Sequence, residues 1–121
     1  MARLKLRILF DGAMFGPGKA ELLERIAATG SIAAAGRQMG MSYKRAWLLV
    51  GEMNAAFLDP LVVLARGGAG GGGAQLTAAG AVVLGLYHGV LEQALAASAS
   101  QISQLEAMLR PAVALDMSNG K

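Results

Sequence analysis

A chain of 121 residues, 55% of them hydrophobic and 8 of them acidic against 11 basic, is long enough for one domain to bury a core without covalent staples. It contains no cysteine, which excludes a disulfide framework and a thiolate metal site and suits a reducing cytoplasm. The net charge is +3, and its distribution is uneven: residues 1–75 hold nine Lys/Arg against five Asp/Glu, while residues 76–121 hold two against three.

Residues 3–10, RLKLRILF, alternate basic and apolar side chains. Period two predicts a half-buried strand with Leu4, Leu6, Ile8 and Phe10 on one side and Arg3, Lys5 and Arg7 on the other. The start has no small-residue cleavage site after its short apolar run, so no export signal is expected. Residues 11–18, with three Gly and one Pro, read as a loop. A helix follows from about Lys19 to Thr29, with Leu22, Leu23, Ile26 and Ala27 as its apolar stripe and Gly30 as its stop. Glu21, Glu24 and Arg25 form its solvated face, since no partner His or second carboxylate with catalytic spacing stands near them.

Residues 30–54, GSIAAAGRQMGMSYKRAWLLVGEMN, predict two helices joined by a tight corner. Ser31 and Ser42 each precede an apolar-periodic run and can cap its free N–H groups. Gly40 supplies the left-handed backbone of the corner. In the second helix Ala46, Leu49 or Val50, Met53 and Phe57 share a buried face. Ser42, Tyr43, Lys44, Arg45 and Trp47 crowd its first turn and a half, with hydrogen-bonding and cationic groups that a core would not accept. This is the layout of a helix-turn-helix, whose second helix enters the DNA major groove N-terminal end first.

Pro60 is expected to stop that helix at Asp59. Residues 61–66 (LVVLAR) and 74–77 (AQLT) read as two strands around residues 67–73, which hold six glycines in seven positions. A nucleotide-binding loop would need Gly-Lys-Ser/Thr and a helix directly afterwards, and neither follows Gly73. A hairpin wing fits, with Arg66 at its base as a phosphate or minor-groove contact and a tip whose glycines approach the sugar-phosphate backbone closely.

SYKRAW, EMN and LVVLARGGAGGGGAQLTAAG, in that order, resemble the N-terminal DNA-binding domain of the ModE family of molybdenum-responsive bacterial regulators. In that family a similar S-Y-K-x-A-W opens the recognition helix, and a similar Gly-rich stretch ending in L-T forms the wing. The likeness runs from about Leu6 to Leu91, and more distantly the layout is similar to the winged helix of LysR-type regulators. The resemblance implies a dimeric winged helix with Ser42, Tyr43, Lys44, Arg45 and Trp47 at double-stranded DNA, and with Arg66, Gly68, Gly70 and Gly71 in the wing. Family members of full length continue into modules that bind molybdate or tungstate. This chain is expected to carry none, hence no cofactor, and to work without an effector or with a separate sensor protein.

Thr77 caps a last helix running to about Leu109, before Pro111. Leu84, Tyr87, Leu91, Leu95, Ser98, Ile102, Leu105 and Leu109 follow nearly a heptad seam, and a two-fold partner would bury it. A membrane span is rejected, because residues 67–91, the longest uncharged region, are interrupted by glycines and by Gln75, Thr77 and His88. The expected fold is mainly α with a small β wing. A winged helix-turn-helix occupies residues 1–76, a dimerisation helix residues 77–110, and a flexible tail residues 111–121.

One histidine, His88, and no paired carboxylates predict neither an enzyme nor a metal site, and the seven methionines read as core filling. The expected function is sequence-specific repression from an inverted-repeat operator, possible targets being molybdate uptake or molybdenum-related genes. Lys44 and Arg45 would sit on guanine O6/N7 or phosphate, Ser42 and Tyr43 on phosphates, and Trp47 under the helix or against the backbone. The alternative is a small oligomeric interaction or oxyanion-handling protein that keeps the fold without specific DNA binding.

Overall fold

The computed structural model describes residues 2–66 and 72–111, with the backbone alone at 66 and 72. The order is β1 (Ile8–Phe10), β2 (Ala13–Phe15), α1 (Pro17–Thr29), α2 (Ile32–Gln38), α3 (Tyr43–Ala56), β3 (Val62–Arg66), β4 (Gly72–Leu76) and α4 (Ala78–Ala107). This is the expected class: a helical domain with a two-stranded antiparallel wing, followed by a long helix.

The first strand is shorter than its alternation suggests, and its partner lies in what reads as a loop. Only Ile8–Phe10 pair, with Ala13–Phe15, across a two-residue turn at Asp11 and Gly12. Gly12 has φ +80°, the positive φ that the favoured two-residue hairpin turns require and that Asp-Gly supplies. Phe10 is exposed rather than inward, because it pairs with Ala13 at the hairpin tip, beyond the reach of the core. Phe15, at the other end of the hairpin, is buried and stacks edge-on against Tyr87 with ring centroids 5.1 Å apart.

Helix α1 starts at Pro17, two residues before the apolar pattern begins, since proline is pre-set for a first helical position. It ends at Gly30 in the left-handed region, φ +73°. Leu22, Leu23 and Ile26 are fully buried and form the centre of the core. Each contributes about 1.5–3 kcal/mol by leaving water. Lys19 is almost buried as well: its stem lies in the domain while Nζ donates to the Met14 carbonyl at 3.0 Å and reaches Glu52 at 3.4 Å.

Helices α2 and α3 approach with nothing between them. A Cβ on Gly36 would lie 2.9 Å from the Ala46 Cβ, so only glycine lets α3 cross at that point. Helix α3 ends at Ala56, earlier than Pro60 alone requires, because Phe57 turns into extended backbone and packs edge-on against Phe15 at 6.3 Å.

Strands β3 and β4 pair in register from Val62↔Leu76 to Arg66↔Gly72, and the Ala74 N–H donates to the Gly30 carbonyl at 2.9 Å, fixing the wing to the end of α1. Thr77 then caps α4 by accepting from the Gly80 N–H at 2.9 Å. It also grips the chain before β3: its hydroxyl donates to the Pro60 carbonyl at 2.7 Å and its N–H to the Leu61 carbonyl at 2.9 Å.

The first half of α4 is a wall of the domain and the second half leaves it. Tyr87 is buried, and its hydroxyl donates to the Leu6 carbonyl at 2.6 Å. Burial pushes its phenol above the ordinary pKa. His88 meets Glu24 of α1 at 2.6 Å, so Glu24 is not merely a solvated carboxylate. Leu95, Leu105 and Leu109 are exposed, and Ile102 is half-buried. By length and composition alone α4 could cross a bilayer. Its first turns are committed to the winged domain, however, and Glu92 and Gln93 are exposed mid-helix. Of the tail expected at 111–121, residues 112–121 lie outside the described residues.

Two glycines of α4 test this packing with opposite signs. A Cβ at Gly80 would overlap the Leu61 carbonyl, whereas one at Gly85 meets nothing. Gly80→Ala should therefore destabilise by about 1–3 kcal/mol and Gly85→Ala should stabilise by about 1 kcal/mol, read from chemical denaturation midpoints.

Candidate nucleic-acid interface

The exposed surface of α3 follows from its N-cap and its one buried face. The Ser42 hydroxyl accepts from the Arg45 N–H at 3.0 Å, while Ser31 does the same for Ala34 at the head of α2. Ala46, Leu49, Val50 and Met53 point into the core. At 100° per residue the stripe opposite them is Lys44, Leu48, Gly51 and Ala55, all exposed.

Lys44 and Arg45 are exposed beside Ser42. Tyr43 is 58% and Trp47 37% exposed, and the two rings meet edge-on with centroids 5.9 Å apart. Trp47 thus stands on the outer flank of α3 rather than beneath it. The only acidic residue of α3 is Glu52, and the nearly buried Lys19 Nζ lies 3.4 Å from its carboxylate. That pairing offsets the one negative charge that would otherwise oppose a polyanion along this helix.

A side chain invisible to the sequence reading fixes the wing relative to α3. Asn54 Oδ1 accepts from the Leu61 N–H at 2.8 Å and the Val62 N–H at 3.1 Å, while Nδ2 donates to the Val62 carbonyl at 3.0 Å. One amide thereby satisfies three backbone groups at the start of β3. Arg66 is the last residue of β3, opposite Gly72, so the base of the wing lies where the sequence suggests. Gly68, Gly70 and Gly71 lie outside the described residues.

Arg25 braces the helix-turn-helix from the other side. Its guanidinium pairs with Glu21 at 2.7 Å and donates to Gln38 Oε1 at 2.9 Å, tying α1 to the end of α2. Among the described residues no cluster of three or more His, Asp or Glu could hold a metal ion.

The residues read as a dimerisation seam divide into two sets. Leu84, Tyr87 and Leu91 pack on the chain's own core, with Tyr87 fully enclosed, so they are not a free seam. Leu95, Ile102, Leu105 and Leu109 lie beyond the domain. The sequence period is the same in both halves, and only the fold reveals that the first half already has a partner.

The chain matches the model of the bacterial regulatory helix-turn-helix protein, lysR family, over residues 18–81. It is 42% identical over 105 residues to the molybdenum-pterin-binding protein MopA of Rhodobacter capsulatus, covering 84% of this chain and 40% of that protein. It is 46% identical over 79 residues to MopB of the same organism, covering 65% and 29%. With the DNA-binding transcriptional dual regulator ModE of Escherichia coli K12 the identity is 45% over 87 residues, covering 71% and 33%. The chain thus spans 29–40% of the length of these relatives.

Removing the Asn54 amide leaves three backbone groups of β3 without their partner. Asn54→Ala should cost about 2–3 kcal/mol of stability, and amide exchange at Leu61 and Val62 should rise more than at Leu23 in the core.

Proposed function

Because this chain belongs to the lysR family of bacterial regulatory helix-turn-helix proteins, we propose that it is a DNA-binding transcriptional regulator that acts as a homodimeric repressor on an inverted-repeat operator. The observation that carries this reading is the first turn of α3. Tyr43, Lys44, Arg45 and Trp47 stand exposed on a capped helix, around the face opposite the core. Exposed aromatic and cationic groups are what phosphate and base edges take up. An interaction protein that kept the fold without DNA would gain nothing from this arrangement.

The dimer would form through α4. Its distal half presents Leu95, Ile102, Leu105 and Leu109, and the opposite side of its proximal half presents Val82, Leu86 and Val90, all four residues apart and exposed. Antiparallel pairing of the distal halves would set the exposed leucines of one copy against those of the other, a two-fold contact that covers this tract on both. The two α3 helices would then enter successive major grooves, about 34 Å apart. DNA as the partner places the protein in the bacterial cytoplasm.

The relatives named for molybdenum transport and molybdenum-pterin binding make molybdate uptake and molybdenum-related genes the targets to test. Anisotropy titrations on the DNA upstream of the chain's own gene, against a shuffled duplex and across a salt series, should show preferential binding. The logarithmic salt slope should be about −0.9 per phosphate contacted. Arg45→Ala should weaken the specific complex by about 1–3 kcal/mol and leave the shuffled one nearly unchanged. Equal affinity for both duplexes at every salt concentration would sink the regulator reading. A molybdate-dependent shift would put oxyanion sensing in this chain.

A further inference from the structure

The outward stripe of α3 holds a residue that neither the cap nor the core explains. Leu48 is 54% exposed, one turn beyond Lys44 and directly opposite the buried face. A single exposed leucine is ordinary on a protein surface, but this one belongs to a group. Tyr43, Trp47 and Leu48 are three large exposed apolar side chains within six residues, flanked by Lys44 and Arg45. The next position along the stripe, Gly51, carries no side chain, and a Cβ there would meet nothing. Leu48 therefore stands as the last large side chain of the stripe, with open space at Gly51 beyond it.

We propose that Leu48 is a specificity residue that reads the C5-methyl group of a thymine in the major groove; this rests on the DNA-binding reading of α3. The thymine methyl is the one apolar feature that base pairs display in the major groove, and an aliphatic side chain is its complement. Charge complementarity selects nucleic acid over an apolar protein partner. Two cations lie within one turn of Leu48, and the only carboxylate on α3 is offset by Lys19. The distance also fits. Four residues of α-helix rise about 6 Å and one base step is about 3.4 Å, so the thymine would lie one or two steps from the base contacted by Lys44. In a two-fold dimer the contact occurs once in each half-site.

The test uses the full chain and the tightest duplex selected from a randomised pool. Each thymine is replaced in turn by deoxyuridine, which removes one methyl and keeps every hydrogen-bonding group. One position per half-site should lose affinity about four-fold for the unaltered protein, the effect of exposing one buried methyl. Leu48→Ala should bind the thymine duplex several-fold more weakly, and replacement at that position should then cost nothing further. Indifference of the unaltered protein to every replacement, or an identical replacement profile for Leu48→Ala, would overturn the assignment while leaving DNA binding intact. If no duplex is enriched from the pool, DNA reading by α3 fails, and the thymine contact fails with it. Circular dichroism of Leu48→Ala separates a lost contact from a lost fold, and the exposed position predicts an unchanged melting curve.

Discussion

The backbone at Pro60, Leu61 and Val62 is held from two sides, and the relation among recognition helix, wing and long helix depends on that grip. From α3, Asn54 takes the Leu61 and Val62 amides and the Val62 carbonyl. From the head of α4, Thr77 takes the Pro60 and Leu61 carbonyls, and Gly80 leaves the space that the Leu61 carbonyl occupies. Buried backbone groups need partners, and here the partners come from α3 and the head of α4, which are thereby fixed relative to the wing. The Ala74–Gly30 hydrogen bond adds a third anchor, so the wing strands are fixed at their base to α1, α3 and α4.

The sequence shows those features that local chemistry decides. Ser31, Ser42 and Thr77 each stand before an apolar-periodic run and each accepts a backbone N–H three residues on. Gly30 and Gly40 take up positive φ where their helices end. The hairpin at 8–15 turns at Asp11-Gly12, but the run of Gly and Pro around that turn reads as a loop and hides the second strand. What could not be read is pairing between distant residues. Asn54 is an ordinary polar residue on a helix until the wing lies beside it, and Lys19 looks like one more surface cation until Met14 and Glu52 surround its amine. Tyr87 fits a heptad seam as well as a core, because periodicity locates an apolar face without saying what covers it.

The candidate interface was half legible for the same reason. The cations and aromatics at the head of α3 announce themselves by type and by the cap that precedes them. Leu48 does not, since leucine in a helix defaults to the core, and only the burial of Ala46, Leu49, Val50 and Met53 shows that it faces the other way. Likewise the compensation of Glu52 by Lys19 joins residues 33 positions apart. It offsets on α3 a charge that a simple count would set against binding a polyanion.

The crossing of α2 and α3 at Gly36 and Ala46 has a thermodynamic side. Neither residue has a rotamer to choose, so this contact freezes no side-chain freedom, and the adjustable side chain beside it is that of Met41. The angle between the two helices is therefore set by backbone against methyl, a hard wall rather than an adjustable surface. The exposed Lys44, Arg45 and Leu48 of α3 keep their rotamer freedom, while the crossing that carries them has little.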